Sequence, residues 1–141
     1  MLIAKIFNLY FDKNNSNNEN KSKVFKVFYD LKARFIYRSD TLNWDKLEHW
    51  ESEKEIPDRG IFYGDCDSFA LAIRKYLRRE GINDSRLVFC QTETGGYHLI
   101  IDWQGWLLDN RYDYPVTRDE IDYKFIKISG FNKGDNWRTV V

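Results

Sequence analysis

The sequence predicts an α+β fold. Two stretches with helical periodicity come first, at about 21–36 and 66–79, and four short runs of apolar, β-branched and aromatic residues follow. Helices first and strands after is the order of an α+β domain, and hairpin-length gaps between the later runs argue for an antiparallel sheet.

Residues 1–11 are apolar and fit a short helix or a strand, and residues 12–22 form a polar, Asn-rich stretch that reads as a loop. From Lys23 the pattern turns helical. Val24, Val27, Phe28, Leu31 and Phe35 recur at steps of three and four and make one apolar face. Residues 37–63 read as irregular, with Trp44, Leu47 and Trp50 spaced for one helical turn and Pro57 and Gly60 as breaks. The helix from Cys66 to Arg79 carries its stripe on Phe69, Ala72, Ile73, Tyr76 and Leu77. Cys66 lies at the edge of that stripe. Asp65 suits the N-cap, Arg78 and Arg79 the negative end of the dipole, and Gly81 the C′ position. The strands follow at 86–92, 97–103, 106–108 and 123–128, with turns at 94–96 and at Gln104-Gly105.

Composition narrows the partners. The 141 residues fit one domain, and 22 basic residues balance 22 acidic ones. Bulk charge therefore gives no reason to expect nucleic acid or an anionic membrane. Aromatics reach 17%, enough to build a core from few large side chains. The N-terminus has neither a basic front region nor a small-residue cleavage site, and no stretch approaches the ~20 apolar residues of a membrane helix. The expectation is a cytoplasmic domain with reduced thiols; its two cysteines, Cys66 and Cys90, make no disulfide framework.

The chemistry concentrates in Gly64-Asp65-Cys66-Asp67-Ser68-Phe69-Ala70. Taken alone, Cys66 on a helical stripe reads as a small buried hydrophobe. At a helix N-terminus, however, a thiol meets unpaired N–H groups and the positive end of the dipole, which favour a thiolate and offer an oxyanion site. Asp65 and Asp67 oppose this, and an imidazolium would offset them. His98, in Gly95-Gly96-Tyr97-His98-Leu99-Ile100, fits either a hydrogen-bonded core residue or that partner. The glycines before it let a substrate or another backbone come close. His49, in a Trp-rich irregular segment, is the weaker base. Asp109 closes the strand Trp106-Leu107-Leu108. It fits a turn cap or the carboxylate that orients His98, since a hairpin at 104–105 brings the two near each other. Asp102 is the alternative, but it lies four residues from His98, roughly 13 Å along a strand.

Metal readings are weaker. Cys66, Cys90, His49 and His98 lack zinc-finger spacing, and Asp65, Asp67, Asp109 and Asn110 offer oxygen ligands without an EF-hand pattern. No phosphate loop or dinucleotide fingerprint is present.

The Cys66 run resembles the Gly-Asp-Cys-Glu-Asp-Tyr-Ala motif of bacterial transglutaminase-like cysteine proteinases, within the wider transglutaminase-like, papain-related superfamily. Upstream, Phe35-Ile36-Tyr37-Arg38-Ser39-Asp40 with Trp44 and Trp50 resembles the segment before the nucleophile. Downstream, Tyr97-His98-Leu99-Ile100 resembles the histidine strand and Leu108-Asp109-Asn110 the acid motif. The resemblance implies one such peptidase domain over 1–141, with the nucleophile helix packed on an antiparallel sheet. It implies Cys66 as nucleophile, His98 as base and acid, and Asp109 as orienter. Trp44, Trp50, Gly96 and Tyr97 become candidates for substrate contact. Asp65 and Asp67 become candidate calcium ligands, Asp67 standing where the family has Glu and Ser68 where it often has Asp. The short chain is similar to compact versions found in phage and other small genomes.

The expected activity is a thiol hydrolase that cleaves a peptide or amide bond of a protein or peptide through a thioester. No cofactor is expected to be required. An amine acceptor in place of water would make a transamidase, and release of ammonia a deamidase. The competing class is a catalytically inactive member of the same fold that binds a peptide over Trp44, Trp50, Trp103, Trp106 and Trp137. A redox or metal role through Cys66 and Cys90 is a third.

Overall fold

The structure is a computed structural model that describes residues 2–38 and 58–140, with side chains described from residue 17 onward. Helix α1 spans Leu2–Arg34. The segment 12–22 is thus helix and not the expected loop. It contains no Gly or Pro, and polar residues such as Asn cost only up to about 0.7 kcal/mol each against Ala. Helix started on either side therefore continues through it. The helix stops at Arg34 because Phe35–Tyr37 forms strand β1, which pairs parallel with β2, Phe62–Gly64. Both ends of the stretch 37–63 are therefore ordered as strand; Trp44, Leu47, His49, Trp50 and Pro57 lie outside the described residues.

Helix α2 spans Cys66–Arg79, and both of its ends are closed by the residues expected. Asp65 is the N-cap in an extended conformation, and its Oδ1 accepts from the Ser68 N–H at 3.2 Å and the Ser68 hydroxyl at 3.1 Å. At the other end Gly81 takes φ +79°, the Gly81 N–H donates to the Arg78 carbonyl, and the Ile82 N–H donates to the Leu77 carbonyl at 2.9 Å. That pair of bonds is a Schellman closure, with Ile82 and Leu77 both buried beneath it.

Strands β3 (Ser85–Gln91), β4 (Tyr97–Trp103), β5 (Trp106–Leu108), β6 (Val116–Thr117), β7 (Lys124–Ile128) and β8 (Arg138–Thr139) form one antiparallel sheet in the order β6-β5-β4-β3-β7-β8. β6 and β8 have two residues each, too few to leave a periodic signature. The β4–β5 turn has Gln104 at φ 49° and Gly105 at φ 90°, the paired positive angles that suit strand twist in a two-residue hairpin.

Successive residues alternate between the two faces of the sheet. Leu87, Leu99 and Ile101 join Val24, Phe28 and Leu31 of α1 and Phe69, Ile73 and Leu77 of α2 in one core. Val88, Cys90, Ile100, Leu107, Phe125 and Ile128 form a second cluster on the other face. Burial on both faces explains why Leu87-Val88-Phe89-Cys90 and Leu99-Ile100-Ile101 read as unbroken apolar runs. Among the described residues no helix is long and apolar enough to cross a membrane.

Candidate active site

Cys66 is the first residue of α2 and is 3% exposed. Gly64 lets the end of β2 press against the first turn of that helix. A Cβ at position 64 would lie 2.4 Å from the Ser68 Cβ, closer than any real contact. The cap fixes which amides remain for chemistry: the Ser68 N–H is held by Asp65 and, at 2.8 Å, by the Asp67 side chain, while the Phe69 N–H donates to the Asp65 carbonyl.

His98 is the second residue of β4 and is buried. Register pairs Ile101 with Leu108, so Asp109 falls beside Ile100, on the same face as His98 and diagonal to it. The diagonal is closed by a hydrogen bond of 2.6 Å between His98 Nε2 and Asp109 Oδ1. Burial disfavours charge on the imidazole, but the bond to Asp109 and the neighbouring Cys66 side chain outweigh it. The His98 pKa rises to about 9. Burial likewise opposes the Asp109 charge, yet the bonds from His98, Tyr123 and the Arg111 N–H hold its carboxyl below the usual carboxylate range. With Nε2 engaged by the carboxylate, Nδ1 is the nitrogen left for the thiol.

Two residues beside this pair are not singled out by sequence. Tyr123, which sequence patterning assigns merely to the start of a strand, lies just before β7 and donates its O–H to Asp109 Oδ2 at 2.6 Å. Arg111 donates its backbone N–H to Asp109 Oδ1 at 2.9 Å and its Nη1 to the Tyr123 oxygen at 2.8 Å. Glu93 grips the same guanidinium through both carboxylate oxygens, and its own pKa falls to about 2, chiefly through that bond.

The remaining candidates separate cleanly. Asp102, the alternative orienter, is committed elsewhere: it accepts from Arg86 at 3.2 Å and from the Gly105 N–H at 3.0 Å. Cys90 is unbridged and lies opposite His98 on β3, where burial, then Asp109 and Cys66, push its thiol far up and keep it neutral. Gly96 and Tyr97 are exposed at the mouth of the β3–β4 hairpin, next to His98, with Tyr97 stacked on Phe89. Trp103 is buried and bonded to Asp84, Trp106 is half-buried and packs edge-on against Phe25, and Trp137 is half-buried against the same core. Trp44, Trp50 and His49 lie outside the described residues.

Asp65 and Asp67 each give one carboxylate oxygen to Ser68. Asp65 Oδ1 already serves two Ser68 donors and Asp67 Oδ1 a third bond, whereas calcium takes about six to eight oxygens. Among the described residues no group of three or more His, Cys, Asp or Glu side chains is placed to hold a metal ion.

The same architecture occurs in known proteins. No curated protein sequence matches the chain. Among solved structures, calcium-bound LapG of Legionella pneumophila superposes with a TM-score of 0.65 at 19% identity, covering 85% of this chain and 68% of that one. A second LapG structure from the same organism gives 0.61 at 16% identity, over 86% and 69% of the two chains. EGTA-treated LapG gives 0.61 at 17%, over 86% and 67%. At that identity the likeness speaks for the fold, an α+β core of the papain and transglutaminase type. Family membership comes from sequence: residues 10–141 match the family described as bacterial transglutaminase-like cysteine proteinase BTLCP. With nearly the whole chain matched, the protein belongs to the bacterial transglutaminase-like cysteine proteinases and is a cysteine peptidase.

Proposed function

We propose that the enzyme hydrolyses a peptide or amide bond of a protein substrate through Cys66, His98 and Asp109, with a thioester intermediate. The observation that carries this reading is the buried 2.6 Å bond between His98 Nε2 and Asp109 Oδ1, beside a thiol at the start of α2.

His98 Nδ1 holds the proton taken from Cys66 Sγ, so the imidazole stands as the imidazolium, and the deprotonated sulfur forms a bond to the scissile carbonyl carbon. The oxygen gains the negative charge. Because the Ser68 and Phe69 amides are already used, the Cys66 and Asp67 N–H groups are the donors we assign to it. The imidazolium gives its proton to the leaving nitrogen, the C–N bond breaks, and an acyl thioester remains on Cys66. Imidazole then takes a proton from water, the hydroxyl oxygen adds to the thioester carbon, and the C–S bond breaks. Release of the acid returns the thiol. Asp109 keeps the Nε2 proton in place throughout and does not itself take it.

Calcium carries no step in this scheme. One of the similar LapG structures is calcium-bound, and here each carboxylate flanking Cys66 gives one oxygen to Ser68.

The test is a proteome-derived peptide library with new termini read by mass spectrometry. Cys66→Ala abolishes cleavage while circular dichroism stays that of the parent, and His98→Ala lowers cleavage by about a hundredfold or more. Cleavage retained by Cys66→Ala refutes the mechanism.

A further inference from the structure

We propose that Tyr123 is a positioning residue of this site: its hydroxyl holds the Asp109 carboxylate so that one oxygen faces the His98 imidazole, and Arg111 holds the hydroxyl. The inference rests on the roles proposed above for Cys66, His98 and Asp109 and adds the parts that fix the carboxylate.

The bonds on Asp109 leave it little freedom. Oδ1 receives His98 Nε2 at 2.6 Å and the Arg111 N–H at 2.9 Å, and Oδ2 receives the Tyr123 O–H at 2.6 Å. The direction of the last bond is determined. A guanidinium only donates, so Arg111 Nη1, 2.8 Å from the phenolic oxygen, occupies that oxygen as an acceptor and turns its proton toward Asp109. Glu93, in the turn between β3 and β4, clamps the guanidinium in turn. The Tyr123 ring also stands edge-on to the imidazole, with centroids 6.0 Å apart and planes at 88°, and limits its rotation.

The loop after β5, strand β4 and the residue before β7 thus each give a donor to one buried carboxylate, and the β3–β4 turn holds the Arg111 guanidinium behind them. Of the other titratable groups, Cys90 of β3 faces the carboxylate and Cys66 of α2 faces His98, while Lys32 of α1 donates to the carbonyl of the adjacent Asn110. Burial, then the Asp109 carboxylate, push the Tyr123 phenol far upward, so it stays a donor wherever the enzyme works.

Without the hydroxyl, Oδ2 is a buried carboxylate oxygen with no partner. It must then take up a proton more readily or turn away from its place, and either change removes the fixed acceptor of the His98 Nε2 proton.

The test uses the full chain with His49→Gln, which leaves His98 the sole imidazole. Nuclear magnetic resonance follows the Nε2 proton of His98 and the carboxyl carbon of Asp109 across pH, and iodoacetamide probes Cys66. In Tyr123→Phe the Asp109 midpoint rises by about one pH unit, tenfold in proton affinity. The Nε2 proton broadens into exchange with solvent, and alkylation at neutral pH slows about tenfold with circular dichroism unchanged. Arg111→Gln keeps the backbone N–H and moves the same signals in the same direction by less. It decides the matter if the Tyr123 variant folds poorly, since the Arg111 side chain is 34% exposed. An Asp109 midpoint and Nε2 signal that stay put in both variants overturn the proposal. A separate His98→Ala control distinguishes the two levels. Alkylation indifferent to His98 defeats the roles proposed above, whereas alkylation that depends on His98 but not on Tyr123 or Arg111 defeats this inference alone.

Discussion

The His98–Asp109 pair makes stability depend on pH in a defined direction, and Asp109→Asn exposes it. His98 holds its proton more tightly folded than unfolded, with a pKa of about 9 against the ordinary 6.5. The stabilisation is therefore complete below pH 6.5 and is withdrawn as pH rises through 9. At about 1.36 kcal/mol per pH unit, the interval is worth about 3 kcal/mol. Because the His98 side chain is 7% exposed and that of Asp109 fully buried, solvent screening subtracts little. The independent expectation for removing one partner of a buried ion pair is about 3–5 kcal/mol, of the same order. The assay is urea unfolding of both proteins at about pH 6, 8 and 10, spanning the midpoints above. The wild type loses more than Asp109→Asn over that range, by up to about 3 kcal/mol, with Cys66 carrying the remainder of the shift, and the two converge at the alkaline end. Curves that run parallel from pH 6 to 10 refute the reasoning, because the titration would then owe nothing to the carboxylate. At the acid end Asp109 acts with the opposite sign. Its contribution is present above its ordinary pKa of 3.8 and is lost as pH falls through its lower folded value.

Two other expectations follow from local geometry. Gly64→Ala forces a Cβ against Ser68, which belongs to the first helical turn and cannot retreat without moving Cys66. Urea unfolding should show a loss of about 1–3 kcal/mol, together with reduced alkylation of Cys66; unchanged values for both mean the turn yields freely. For calcium, titration calorimetry up to millimolar ion should show no heat beyond dilution, and chelator should leave the melting temperature unchanged. A saturable heat that Asp67→Asn removes means that Asp67 abandons its bond to Ser68 for the ion.

Local signals carry the elements that are legible in the sequence. Asp65 and Gly81 mark the ends of α2 because a cap and a positive φ are requirements of single residues. The pair Gln104-Gly105 marks a hairpin for the same reason, and the turn by itself is enough to bring Asp109 near His98. The elements that sequence patterning misses have the opposite character. The stretch 12–22 carries no apolar pattern, so its helix rests on the absence of breakers and on continuity with its neighbours, which periodicity does not report. The parallel pairing of β1 with β2 joins residues 27 apart, and β6 and β8 are two residues long. Nothing within such short runs distinguishes strand from loop.

The same distinction runs through the site. Cys66, His98 and Asp109 each stand at the end of an element: the first residue of α2, the second of β4 and the residue after β5. Such positions are fixed by rigid backbone, yet their side chains reach past the element's own packing, so the residues we propose as the triad can be nominated from sequence once the elements are found. Tyr123 meets Asp109 from 14 residues away, across a stretch that contains β6 and a short 3-10 turn. Its partner Arg111 is tied to Glu93, 18 residues earlier. A tyrosine opening a strand is ordinarily core, and an arginine two residues past a carboxylate is ordinarily surface. Only the fold brings both to one oxygen pair. The cost of leaving a buried carboxylate partly unpaired explains why three donors gather there: with Asp109 fully desolvated, every lone pair without a donor would favour its protonated form, which cannot hold the Nε2 proton of His98.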